Sequence, residues 1–437
     1  MRQISRKPSR TLGVLSALIL CCAFLAGCGT AQPSNATHGV TISIATGMQE
    51  PPASMLQKFT RLTGIKVRWI DLGWDDLQTK ISTSSVAHTY FADVVNVDWS
   101  RVGSYAKLDW FHPLGSYLDT AALKKDMPQL DSFIVGGKVI GVPFDADLKV
   151  TTINQKQFRA AGVDTTPHTM AEYTAALQQV KKHDPKEHPL GIPLAAAEGL
   201  STYWYQLTAA FGGTTFDKSF DPAFDKPTSA GYRALQWMAD AYRTGLVSPA
   251  NINMTDVQTA QTQMAKGSVA SIFSDSPQIQ SIYDSKQYST VLNQVHYLTT
   301  PTSADPPPNL STPDGAGIPR TAKYPKAAAE FIKWLVNPQI QAQLAGLNGT
   351  PLISLPCSLS AVQELVSHKR IAEGTRVLDM LKNTVRPVFP GGPPVWYPQF
   401  SNAAYTAIHA AVSGQLSVAS AIHTIAQTAR DQKASTS

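Results

Sequence analysis

The chain is short of cysteine, of charge and of long apolar runs. It has 4 cysteines in 437 residues, and 16% of its residues are charged. Cys21, Cys22 and Cys28 fall at the N-terminus, leaving Cys357 alone in the body of the chain, so no disulfide or cysteine metal cluster is expected there. Nothing in Leu355-Pro356-Cys357-Ser358 activates that thiol, which is expected to be a small buried hydrophobe. The apolar run over residues 11–25 is too short to span a bilayer comfortably as a permanent helix, and no second candidate follows. Enzyme signatures are also missing. There is no Gly-x-Ser-x-Gly, His-Glu-x-x-His or Walker loop. Gly315-Ala316-Gly317 begins like a dinucleotide loop, but Arg320 stands where a third glycine belongs. The run from His183 to His188 contains Pro185 and reads as a polar helix exit rather than a ligand set. Asp75/Asp76 and Asp145/Asp147 are carboxylate pairs of the kind glycosidases use, although a sequence does not state their separation. No catalytic residue, metal or cofactor is expected.

What is present starts with an address. Arg2, Arg6, Lys7 and Arg10 precede the apolar run, which ends in Leu25-Ala26-Gly27-Cys28. A basic region, a short apolar region and a small-residue cleavage site make residues 1–27 a secretory signal peptide. Leu-Ala-Gly-Cys resembles the bacterial lipobox, which implies cleavage before Cys28 and a diacylated thiol. Two acyl chains anchor stably where one does not. Residues 28–38 are then a small, polar tether outside the cytoplasmic membrane. Loss of the signal removes four basic residues and no acid, so the formal +6 falls to about +2 and the case for a nucleic-acid partner goes with it.

The remainder is longer than one core usually supports, and two lobes are expected. Residues 40–44 and 65–69 alternate as strands around a helical stretch at 55–62, which Thr63-Gly64 stops. This β-α-β start implies parallel strands. A helix at 75–84 leads into an apolar strand at 91–97, and the alternation continues through 141–143 and 150–154, arguing α/β architecture. Helical spacing recurs at 170–182, 203–211, 230–242 and 256–266, with a buried strand at 268–273. Residues 303–313 are rich in proline and read as an exposed loop; residues 326–347 are helical, interrupted at Asn337-Pro338, and so is the C-terminus.

Several landmarks then occur in order. They include Thr63-Gly64-Ile65-Lys66-Val67, Phe91-Ala92-Asp93-Val94-Val95, Gly141-Val142-Pro143, Phe211-Gly212-Gly213, Met264-Ala265-Lys266-Gly267, Gly317-Ile318-Pro319, Tyr324-Pro325-Lys326-Ala327-Ala328 and Gly349-Thr350-Pro351. Together they resemble the extracellular solute-binding proteins of carbohydrate ABC importers, the maltodextrin-binding superfamily. The resemblance implies two α/β lobes joined by crossover strands with ligand in the cleft between them. By analogy residues 39–147 and 301–350 form one lobe and 148–300 and 351–437 the other, with crossings near 147–151, 296–300 and 350–355. It also implies a monomeric receptor that hands a small carbohydrate to the membrane subunits of an ABC permease. The alternatives are the same scaffold holding a glycerol phosphoester or a polyamine, a sugar-cleaving enzyme, or a receptor feeding a membrane sensor.

A sugar site needs flat aromatic platforms beside carboxylates that pair with hydroxyls. Residues just after strands or at helix starts are the candidates. Trp74 with Asp75 follows the second strand, and Asp98 with Trp99 the third. For the latter the alternative is a helix N-cap beside a buried indole. Asp145 and Asp147 stand at the first crossing, where related proteins often place a ligand-binding acid. Tyr203 and Trp204 are read as opening a helix into the cleft, and Asp275 follows a strand. Gly315 and Gly317 would let backbone N–H groups approach ligand. Trp396, after a Gly-Gly-Pro-Pro run, is either a closing platform or a buried support.

Overall fold

The computed structural model describes residues 34–277, 282–347 and 355–436. The signal segment, Cys28, most of the tether and most of the third expected crossing lie outside the described residues.

Strands Thr41–Ala45 and Lys66–Trp69 pair in parallel around helix Ala53–Thr63. The helix stops where the sequence says it should. Gly64 takes a left-handed conformation, φ 72°, and donates its N–H to the Thr60 carbonyl at 2.8 Å. Val94–Asp98 adds to the other side of Thr41–Ala45, also in parallel, and is buried along its whole length. Asp314–Gly317 returns antiparallel beside it, and Val142–Pro143 closes this five-stranded sheet. Helices Trp74–Val86 and Pro325–Leu335 accompany it.

The second sheet has four strands in the order Val295–Leu298, Val150–Asn154, Ser271–Asp275, Leu190–Gly191. Its core includes Phe158, Tyr173, Leu177, Trp204 and Phe273 and extends into the last helices, Tyr397–Val412 and Val418–Thr436. Those helices pack on Glu198–Ala210 and Ala230–Arg243. The chain passes from the first sheet to the second between Pro143 and Val150, and returns between Leu298 and Asp314. The two crossings run side by side: Lys149 N–H donates to the Leu310 carbonyl at 2.8 Å, and Leu148 bridges Ser311.

Two expectations need correcting. The expected exposed loop at 303–313 ends in a buried strand, Asn309–Ser311, paired in parallel with Val385–Pro387. It gave little apolar signal because only Leu310 is apolar, while Asn309 and Ser311 are buried through hydrogen bonds to the Lys149 and Ala146 carbonyls. The helix expected to open at Tyr203 begins at Glu198. Its N-cap is Ala197, which offers no side-chain acceptor and hence no start signal. Among the described residues, no helix is long and apolar enough to cross a membrane. Cys357 is fully buried and donates to the Pro143 carbonyl at 2.8 Å; burial pushes its thiol pKa up.

Candidate functional site

Between the two sheets lies a cleft of about 300 Å³. From the first sheet and its helices it receives Trp74, Asp98, Trp99, Thr312 and Asp314; from the second come Lys149, Glu198, Thr202, Tyr203, Asp256 and Ser274. The first-sheet acids end up there because of strand register. Asp98 is the last residue of its strand and Asp314 the first of the antiparallel neighbour, so the two stand directly opposite each other at the sheet's carboxyl edge. Like charges so placed repel.

Asp98 carries both roles the sequence allowed. It caps the short turn Trp99–Arg101, its Oδ1 accepting from the Ser100 N–H at 2.8 Å and from the Ser100 hydroxyl, and it also lines the cleft. Burial pushes its pKa up against those two bonds. Asp314 accepts from Asn96 Nδ2 at 2.7 Å. Burial first, then the carboxylates of Asp98 and Asp145, drive its pKa well above the usual range. Asp145 sits behind this pair rather than on the cleft wall, accepting from the Asp314 N–H at 3.0 Å. Its carboxyl is pushed up to about 8 by burial and by the nearby Asp147 charge.

Asp147 is held differently. Lys149 Nζ reaches both its oxygens, at 2.7 and 2.8 Å, and Ser276 Oγ donates at 2.7 Å, with Thr312 Oγ1 a further donor. Burial raises its pKa, but the Lys149 ammonium and these bonds outweigh it, and the net direction is down. Asp147 adopts φ 31°, a left-handed conformation unusual without a glycine. It therefore ties both crossings to the end of Ser271–Asp275 as well as lining the cleft.

Trp74 is the exposed indole, 37% accessible, with the Arg101 guanidinium 5.8 Å from its ring centroid. Asp75 follows it in the helix, and its side chain lies outside what the structure describes. Trp99 lines the cleft but is largely buried, stacked 6.2 Å from Phe389 and edge-on to Tyr397 at 5.5 Å. Tyr203 and Ser274 supply two neutral groups. Tyr203 Oη and Ser274 Oγ are buried and have no hydrogen-bond partner among the described residues. Buried hydroxyls are nearly always satisfied, and these two lie on the wall of an open cleft.

The other expected residues do not line the cleft. Trp204 turns inward, its Nε1 donating to the Gly231 carbonyl at 2.8 Å, because its position on the earlier-starting helix faces the core. Asp275 is fully buried and saturated by Thr152, Gln261, Tyr283 and the Ser276 N–H. Gly315 and Gly317 serve packing: a Cβ at Gly315 would stand 2.7 Å from the Phe133 ring, and one at Gly317 2.6 Å from a Val97 methyl. Trp396 is 5% exposed, packed on Phe216 and Phe400, and is the buried support.

Sequence reasoning passed over Glu198, Lys149, Asp314 and Ser274. Glu198 sits in the first turn of its helix and accepts from Tyr397 and Ser401. Burial raises its pKa against those bonds. Asp314, the residue immediately before the two glycines already singled out, was the one with a usable signal.

Residues 45–342 match the bacterial extracellular solute-binding proteins. A probable amino-acid ABC transporter periplasmic-binding protein, y4oP, of Sinorhizobium fredii (strain NBRC 101917 / NGR234) is 22% identical over 332 residues, 69% of each chain. Among solved structures, maltose-bound MalE3 of T. maritima superposes with a TM-score of 0.75 at 20% identity, covering 90% of this chain and 99% of that one. An ABC transporter solute-binding protein from Agrobacterium radiobacter K84 in complex with ribitol gives 0.74 at 20% identity, with 91% and 99% covered. At that identity the structural likenesses speak to fold, which is the two-lobed, α/β architecture of periplasmic binding proteins. The extent of the family match places the chain itself: it belongs to the bacterial extracellular solute-binding proteins.

Proposed function

We propose that the chain is a receptor for a small carbohydrate or polyol, bound between the lobes and delivered to an ABC permease, with Cys28 as its lipid anchor. The observation that carries the ligand class is the gathering of an exposed indole, Trp74, carboxylates and two unpartnered hydroxyls in one cleft. Sugars offer apolar C–H faces to the first and hydroxyls to the others. The maltose and ribitol complexes of the similar structures support the same class. An α-amino acid, named for the Sinorhizobium relative, needs a cation for its carboxylate. Here the lysine that lines the cleft is already held by both oxygens of Asp147. A phosphoester meets the same objection. Nothing in this reading calls for covalent chemistry.

Thermal-shift screening against mono-, di- and oligosaccharides and polyols tests it. A ligand at a hundred times its dissociation constant stabilises by about 2.7 kcal/mol. Small-angle scattering with that ligand should show a smaller radius of gyration as the lobes close. If no member of the panel stabilises the protein, or if incubation releases cleaved sugar, the reading fails.

A further inference from the structure

The charges in the cleft do not balance, and the imbalance is localised. Of the cations near it, Lys149 is taken by Asp147, and Arg101 lies over the Trp74 ring without an ion pair among the described residues. The directly opposed pair, Asp98 and Asp314, forms no ion pair among the described residues, although the Arg101 charge is near enough to lower the Asp98 pKa somewhat against burial. Each uses one oxygen, Oδ1, on a neutral donor, and neither Oδ2 has a hydrogen-bond partner there. Asp145 backs this pair with a third carboxyl. On the facing lobe Glu198 is satisfied by neutral hydroxyls and has no ion pair among the described residues.

A neutral sugar hydroxyl would donate to one of these oxygens but leave the charge where it is. A protonated amine has donors for both and supplies the missing charge. Across the cleft, buried Tyr203 and Ser274, 4% and 3% exposed, independently leave unpartnered hydroxyls, which hydroxyl groups of a ligand would pair. Building on the carbohydrate reading, we infer that the preferred ligand is a hydroxylated amine, an amino sugar or amino polyol, whose ammonium sits between Asp98 and Asp314 while its hydroxyls meet Tyr203 and Ser274. Without it, burial and the opposed Asp98 carboxylate favour a proton on Asp314. The ammonium takes the place of that proton, and binding releases it to solvent.

Calorimetry on the full-length protein with matched probes tests this. The pairs are D-glucosamine against D-glucose and 1-amino-1-deoxy-D-sorbitol against D-sorbitol, with N-acetyl-D-glucosamine as a neutral amide and spermidine as a cation without hydroxyls. In each pair the amine should bind about tenfold tighter, and it alone should release protons, read from the dependence of the heat on buffer ionisation. The double substitution Asp98→Asn, Asp314→Asn should abolish the preference, the amine of each pair losing about tenfold more affinity than its neutral partner loses. Should that variant fail to fold, the pairwise preference and proton release of the natural chain decide. Neutral members binding as tightly as amines overturn the inference and leave the carbohydrate reading standing. Spermidine binding tightest overturns the hydroxyl requirement and with it the proposal. If no probe binds and the wider sugar panel also fails, both readings fall.

Discussion

Lys149→Met should destabilise the protein in a way that depends on pH with a known sign. The substitution removes two charge-assisted bonds, 2.7 and 2.8 Å long, from Asp147, which keeps Ser276 and Thr312 as donors. The side chains of Lys149 and Asp147 are 12% and 28% exposed, so solvent screens the pair only modestly. Stranding a carboxylate in that position costs about 2–4 kcal/mol at neutral pH. Asp147 titrates below its ordinary value in the folded protein. A depressed carboxylate contributes stability that is present above the unfolded pKa, about 3.9, and lost as pH falls through the folded one. The deficit of the variant should therefore be full at pH 7 and shrink as the pH falls toward and through the depressed folded value, below which Asp147 is protonated in both proteins. Urea unfolding at pH 7, 5 and 3.5 reads it directly, and Asp147→Asn with the double variant completes a cycle with a coupling of about 1–3 kcal/mol. A deficit that is the same at all three values, or a coupling near zero, would refute the account of Asp147 as the tie between the crossings.

Two further expectations separate support from recognition. Trp74→Ala should weaken carbohydrate binding by about 1–3 kcal/mol with stability nearly unchanged, because its indole is exposed on the cleft; Trp396→Ala should do the reverse, costing about 3–5 kcal/mol of stability through the cavity left among Phe216, Phe220 and Phe400. Equal effects of both on calorimetric affinity would mean the cleft is misassigned. For the anchor, mass spectrometry of membrane-extracted protein should find a diacyl group on Cys28 and none in Cys28→Ser, which should be secreted or left unprocessed; an unmodified Cys28 in the natural protein refutes the lipid.

The sequence by itself determined most of the local structure and the fold class. Thr63-Gly64 dictated a helix stop because glycine enters the left-handed region freely. The alternating strands on either side of Ala53–Thr63 dictated a parallel pair because a crossover helix admits little else. The acids after strands were readable for the same reason: Asp98 had to emerge at the carboxyl edge of its sheet. What the tertiary structure alone decided is which face of each element meets the cleft. Trp204 is one residue beyond Tyr203, yet about 100° of helical turn sends one indole into the core and the other ring to the wall. Gly315 reads as a ligand-approach glycine until Phe133 is seen against it. Glu198 had no capping signal, and its partners Tyr397 and Ser401 lie some 200 residues away in sequence. The opposition of Asp98 and Asp314 depends on antiparallel register between strands more than 200 residues apart. Local propensity acts over a few residues, whereas burial, ion pairing and the unpartnered state of Tyr203 and Ser274 are set by contacts that only the folded chain brings together.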